Sequence, residues 1–176
     1  MSAKKAIYPG TFDPVTLGHL DIIKRACKLF DYLYIALGDN PSKTPLFTKK
    51  ERKELLIKSV ATLPNTRVIE FSGLLVDTYK KLECDAIVRG LRALSDFEYE
   101  FQFGLTNRRL YEDAELVFLI PSANFIYLDS SVVRTISMNN GDVSQFVNPI
   151  VEKALKEKYI RNADKIPGDF NLQREQ

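Results

Sequence analysis

Short β-forming runs alternate with runs of helical period along nearly the whole chain, and this alternation constrains the fold more than any other feature. Lys5 to Tyr8, Tyr32 to Leu37, Arg67 to Phe71, Ala86 to Val88 and Leu116 to Ile120 read as strands. Between them Ile22, Ile23, Ala26, Cys27 and Phe30 recur at helical spacing, as do Leu55, Leu56, Ser59 and Val60, and then Phe97, Phe101 and Leu105. A parallel connection must cross back over the sheet, so strand–helix alternation leads to parallel strands with helices on both faces. The expected fold is α/β, a doubly wound parallel five-stranded sheet. Ligands of such sheets bind beyond the carboxyl ends of the strands, where the strand order reverses. Functional residues are therefore expected directly after strands.

With 45% hydrophobic and 27% charged residues in 176, the chain suits one globular domain, expected over residues 1–161. Residues 162–176 are polar, contain Pro167 and Gly168, and are expected to form a mobile or loosely docked tail. The net charge of +2, from 25 basic and 23 acidic residues, lacks the cationic excess of a nucleic-acid or membrane-surface protein, so small-molecule chemistry is the better expectation. No segment has the h-region of a secretory signal or the length of a membrane span. Cys27 and Cys84 sit in apolar-periodic segments and suggest neither a disulfide framework nor a metal cluster; both thiols are expected to be buried, in a reducing cytoplasm.

The first strand runs into Tyr8-Pro9-Gly10-Thr11-Phe12-Asp13-Pro14-Val15-Thr16-Leu17-Gly18-His19, where helical periodicity begins. Gly10 and Gly18 are expected to let the backbone approach a ligand, Thr11 offers a hydroxyl and amides, and His19 falls in the first helical turn. A helix amino terminus disfavours imidazolium, so His19, the single histidine, either stays neutral beside an anion or is a plain surface or capping residue. Arg89 and Arg92 bracket Gly90 just past the fourth strand. Their forked donors suit phosphate oxygens, and a structural ion pair with Asp96 or Glu100 is the competing reading. Leu75 opens a helical segment and by itself reads as core. Asp129 or Ser130 is a good N-cap for the helix that follows, Asn140-Gly141 is a plausible stop, and the amides at its start form a second anion site. Arg134 is either an exposed helix charge or a further cation of that site.

Thr16-Leu17-Gly18-His19 resembles the signature of the nucleotidylyltransferase superfamily. Pro41-Ser42-Lys43, Arg89-Gly90-Leu91-Arg92, Asp96-Phe97-Glu98-Tyr99-Glu100 and Asp129-Ser130-Ser131 follow in the order and spacing of the bacterial phosphopantetheine adenylyltransferases, so the stretch from Lys5 to Leu155 resembles that family. The resemblance implies a Rossmann-like nucleotidylyltransferase fold and transfer of the adenylyl group of ATP to 4′-phosphopantetheine, giving dephospho-coenzyme A and pyrophosphate. It implies catalytic roles for His19, Lys43 and Arg92. ATP would meet Thr11, Phe12, His19, Gly90, Leu91, Arg92, Glu100, Phe125, Ile126, Tyr127, Leu128, Asp129, Ser130 and Ser131. Phosphopantetheine would meet Thr11, Lys43, Leu75 and Arg89. Mg²⁺ would arrive with ATP, since no clustered His, Asp and Glu set in the sequence resembles a protein metal cage. The resemblance further implies a homohexamer and coenzyme A as an inhibitor at the same site. Asp129 departs from the serine usual in the family, and its carboxylate would repel a triphosphate unless it caps the helix or meets a cation. Another nucleotidylyltransferase would share the first loop but lack the later motifs, a tRNA synthetase fragment would need a Lys-Met-Ser-Lys-Ser-like loop, and a silent nucleotide-binding regulator would have no need of His19, Lys43 and Arg92.

Overall fold

The computed structural model describes residues 3–39, 44–92 and 94–163, and of residues 94–96 and 161–163 the backbone alone. Lys43, with Pro41 and Ser42, lies outside the described residues, as does 164–176 of the expected tail. The strands are β1 (Lys5–Gly10), β2 (Tyr32–Leu37), β3 (Thr66–Glu70), β4 (Ala86–Gly90) and β5 (Leu116–Leu119). The helices are α1 (Leu17–Leu29), α2 (Lys49–Ser59), α3 (Leu75–Lys81), α4 (Leu94–Leu110), α5 (Ser130–Met138) and α6 (Pro149–Ala163). Helix α6 thus carries the first two residues assigned from sequence to the tail.

All strand pairs are parallel, in the order β3-β2-β1-β4-β5, so the expected five-stranded doubly wound sheet is the observed one. The chain winds outward from β1 to β3 and then returns to place β4 on the other side of β1. The order therefore reverses between β1 and β4. Both faces of the sheet are covered, which is why its central strands read as unbroken apolar runs. Ala6, Tyr8, Leu33, Ile35 and Val88 share one core with Ile23 of α1, Leu56 of α2 and Val133 of α5. Their strand neighbours Ile7, Ala36 and Ile87 point the other way, onto Val76 and Tyr79 of α3, as the two-residue repeat of a strand requires.

Helix α2 starts with a capping box: Thr48 Oγ1 accepts from the Glu51 N–H, and the Glu51 carboxylate accepts from the Thr48 N–H at 2.7 Å. Helix α4 forms where helical spacing placed it, but its Phe97, Phe101 and Leu105 are exposed, and Phe97 and Phe101 stack on each other with centroids 5.6 Å apart. The buried side of α4 carries Glu100 and Asn107, with Phe103 half-buried in the smaller core. Apolar spacing marked the helix and not its inner face. Cys84 is buried as expected, whereas Cys27 is half-buried at the end of α1.

Candidate active site

Beyond β1, Phe12 adopts a left-handed backbone (φ 48°) that a bulky residue holds only when its surroundings enforce it. Its ring is buried edge-on between Tyr8 and His19, at centroid distances of 5.5 and 5.1 Å. A Cβ on Gly10 would lie 2.7 Å from that ring. Gly10 thus makes room for Phe12, and it also lines the cleft. A Cβ on Gly18 would come no closer than 3.6 Å, to Phe125.

Thr16 is the N-cap of α1, and His19 takes the place that Glu or Gln holds in an ordinary capping box. Thr16 Oγ1 accepts from the His19 N–H, while the Thr16 N–H donates to His19 Nδ1 at 3.1 Å. A nitrogen that accepts from a backbone N–H carries no proton of its own, so the neutral ring bears its hydrogen on Nε2. Burial, then the charges of Arg92 and Arg89, push its pKa down to about 4. His19 is therefore neutral at physiological pH, and the side chain that caps α1 also lines the cleft.

This single histidine makes a direct test available. The imidazole proton and nitrogen resonances should stay those of the Nε2–H tautomer from pH 8 down to about 5, with a midpoint near 4. A midpoint near 6.5 would overturn the electrostatic assignment. Between those two values the unfolded chain takes up a proton that the folded protein refuses, so His19 makes stability fall as pH drops through this window.

At the end of β4 the Arg89 guanidinium grips the Glu100 carboxylate with two nitrogens, Nε at 2.6 Å and Nη2 at 2.5 Å, and Nη1 donates to the Pro9 carbonyl at 3.1 Å. The ion pair with Glu100, left open by the sequence, is thus formed, and it ties β4, α4 and β1 together beneath the cleft. Tyr8 lies beside it, its phenol pushed up to about 12 by burial. Arg92 Nη1 donates to the Leu128 carbonyl at 3.0 Å and stands 3.8 Å from the Asp129 carboxylate.

Asp129 is the N-cap of α5, accepting from the Val132 N–H at 2.8 Å. Both conditions set by its negative charge are met: it caps the helix and it faces a cation. Ser130 Oγ donates to the Pro14 carbonyl at 2.7 Å, holding the start of α5 against the first loop. Because Asp and Ser cap comparably, Asp129→Ser should change stability by only a few tenths of a kcal/mol and leave nucleotide binding intact or tighter. Calorimetry reads both, and a large loss of affinity would give the carboxylate a direct role.

These elements enclose one cleft of about 870 Å³ at the reversal of strand order. Thr11, Phe12, His19, Leu75, Arg89, Gly90, Arg92, Glu100, Phe125, Leu128, Asp129, Ser130 and Ser131 all line it. Leu75, the first residue of α3, lines the cleft and is also part of the smaller core. Leu91 is absent from the lining and donates its N–H to Leu119 O at the strand edge, and Ile126 and Tyr127 are exposed beyond a single 3-10 turn at Ala123–Phe125.

Three structural supports escaped the sequence reading. Asp13 is buried at the centre of a hydrogen-bond network, and Asp21 accepts from both the N–H and the hydroxyl of Ser122, anchoring the Phe125 turn to α1. Arg52 is 2% exposed and donates to the Thr11 and Gly38 carbonyls and to Asp39. Asp13 stood within the quoted loop, but Arg52 lies in Lys49-Lys50-Glu51-Arg52-Lys53, a charge run that looks like any solvated helix face. Arg134, read as an exposed charge or a site cation, is half-buried against Asp13 and also lines the cleft.

Residues 7–136, well over half of the chain, match the cytidylyltransferase-like family. The chain belongs to this family. Its architecture is similar to that of a protein from Vibrio parahaemolyticus described as a nicotinate-nucleotide adenylyltransferase, with a TM-score of 0.66 at 17% identity over 91% of this chain and 93% of the other. A lipopolysaccharide core biosynthesis protein from Thermoplasma volcanium GSS1 gives a TM-score of 0.52 at 23% identity, covering 69% of this chain and 98% of its own. At these identities the likeness is one of fold. As a cytidylyltransferase-like protein the chain is a nucleotidyltransferase, with its signature loop at the cleft described above. Among the described residues no helix is long and apolar enough to cross a membrane.

Proposed function

We propose that this nucleotidyltransferase is a phosphopantetheine adenylyltransferase, joining the adenylyl group of ATP to 4′-phosphopantetheine and releasing pyrophosphate to leave dephospho-coenzyme A. The observation that carries the reading is His19. It is a neutral imidazole whose Nδ1 is occupied by a backbone N–H, so it enters the cleft as a hydrogen-bond donor and not as a base. Such a site suits a nucleophile that is already an anion. An oxygen of the acceptor phosphate attacks the α-phosphorus in line, a new P–O bond forms, the bond to the β-phosphate bridge breaks, and pyrophosphate leaves with the electron pair. Charge gathers on the α-phosphate oxygens and on the leaving group, and the protein's part is positioning and fixed positive donors.

His19 Nε2–H serves the α-phosphate, Arg92 and the amino end of α5 the polyphosphate, and Arg89 and Lys43 the acceptor phosphate. Mg²⁺ is proposed to come with ATP and to neutralise its phosphates when bound. The arginines and serine hydroxyls of this cleft suit phosphate oxygens, so the ion is assigned to the nucleotide itself. Leu75, Phe71 and Phe103 give the acceptor half an apolar wall suited to an uncharged pantetheine arm. Hexameric assembly belongs to the same reading, and the exposed Phe97, Phe101 and Leu105 supply apolar surface for it. Light scattering measures it, and a stable monomer at assay concentration removes it. Coenzyme A, which shares the pantetheine arm, is proposed to compete for the same cleft.

The deciding experiment is an acceptor panel. With Mg-ATP, 4′-phosphopantetheine should release pyrophosphate far faster than nicotinate mononucleotide, nicotinamide mononucleotide or phosphocholine. Unphosphorylated pantetheine should fail, because it lacks the anion and the carboxylates lining the cleft are already engaged, Asp13 by Arg134, Asp39 by Arg52, Glu100 by Arg89 and Asp129 by the cap of α5. The reverse reaction should make ATP from dephospho-coenzyme A and pyrophosphate. Preference for another acceptor, or equal reaction of pantetheine, would overturn the assignment and leave nucleotidyl transfer standing.

A further inference from the structure

Asp13 has no part in the chemistry above, yet it is 3% exposed at the edge of a cleft built for anions. A buried carboxylate there works against phosphate binding unless its position serves another purpose. Its partners among the described residues are donors from other parts of the chain. Oδ2 accepts from the Leu46 N–H at 2.8 Å and Oδ1 from the Phe47 N–H at 2.9 Å, in the segment that leads into α2. Arg134 of α5 donates Nη1 to Oδ2 at 2.6 Å and to the Asp13 carbonyl at 2.7 Å. Arg134 is itself braced from behind, because the Tyr159 hydroxyl of α6 donates to its carbonyl at 3.1 Å.

The His19 loop, the segment that leads into α2 and the helix whose amino end faces the nucleotide half thus converge on one carboxylate. We propose that Asp13 and Arg134 form a positioning pair that sets the amino end of α5 and the 46–47 segment against the His19 loop, and through that placement sets nucleotide affinity. The pair neutralises its own charge, so it can sit beside phosphates without repelling them. Ser130, which donates to the carbonyl of Pro14, adds a second tie between the same two elements. The proposal rests on reading this cleft as a nucleotide site, and its test separates the two.

Mg-ATP affinity of the folded protein is measured by calorimetry for Asp13→Asn, Arg134→Gln and the double variant. A pair acting as one device predicts about a tenfold loss in each single variant and no more than about a twofold further loss in the double. A side chain that only stabilises the fold would lower the melting temperature and leave the affinity of the folded protein unchanged. Additive losses would mean that Arg134 meets the nucleotide independently, and native affinity in Asp13→Asn would remove Asp13 from the site; either overturns the proposal.

Asp13→Asn places an amide where three donors converge and is the variant at risk of not folding. Arg134→Gln at a partly exposed position carries the decision in that case, through amide exchange at Leu46 and Phe47, which Arg134 does not touch. Their exchange should quicken by about tenfold as the shared carboxylate loosens, and unchanged exchange overturns the proposal. This measurement needs no nucleotide. If native protein fails to bind Mg-ATP, the reading of the cleft falls and the exchange result still decides the pair.

Discussion

His19→Ala should fold and should lose about two to three orders of magnitude in turnover, as removal of one preorganised donor from a developing oxyanion does elsewhere. The geometry separates this loss from a structural one. The imidazole also takes the Thr16 N–H within the capping box, so alanine leaves that buried donor short of a partner and should lower stability by about 1–2 kcal/mol. His19→Gln distinguishes the two effects, because glutamine is at home in the third position of a capping box. It should recover most of the lost stability while turnover stays far below native, since its amide does not place a donor where Nε2 was. Thermal melts and pyrophosphate release measure the two separately. Near-native turnover in folded His19→Ala would remove His19 from the chemistry, and a glutamine variant as active as the native protein would reduce it to a cap.

Arg89→Ala should be the most destabilising of these changes. It strands the Glu100 carboxylate, whose side chain is 9% exposed, and takes a donor from the Pro9 carbonyl. Breaking a buried pair from one side costs about 3–5 kcal/mol, which for a chain of this size means a fall in melting temperature of about 10 °C or more. Packing adds to this, since the guanidinium also lies 4.8 Å from the centre of the Phe103 ring. Replacing both partners, Arg89→Met with Glu100→Leu, should restore much of the stability, because neither charge is then left alone. Phosphopantetheine affinity should remain about 10- to 100-fold weak in that double variant, the loss of one charged hydrogen bond. A melt of Arg89→Ala equal to that of the native protein would show that the ion pair does not hold the cleft floor. Native acceptor affinity in the double variant would place the phosphate elsewhere.

Much of this protein is legible along the chain because the signals are local. The alternation of β-forming runs with helical periods determined a parallel doubly wound sheet, since chirality and the covering of both faces leave few other arrangements. The loop from Tyr8 to His19 and the start of α5 announced themselves because glycine, proline and capping residues act on their immediate neighbours. The functions of side chains whose partners are distant in sequence were not legible. Gly10 serves the ring of Phe12, whose left-handed backbone no local rule would predict. Phe97, Phe101 and Leu105 were as apolar as any core stripe, yet Glu100 and Asn107 face inward, because Glu100 meets the guanidinium of Arg89 there. Arg52 among lysines and Arg134 on a polar helix face owe their positions to carbonyls and carboxylates 13 to 121 residues away. Sequence by itself determined the sheet and the loops that end its strands; only tertiary structure decided which charges are buried and with whom, because a charge can be buried only where the fold supplies its partner.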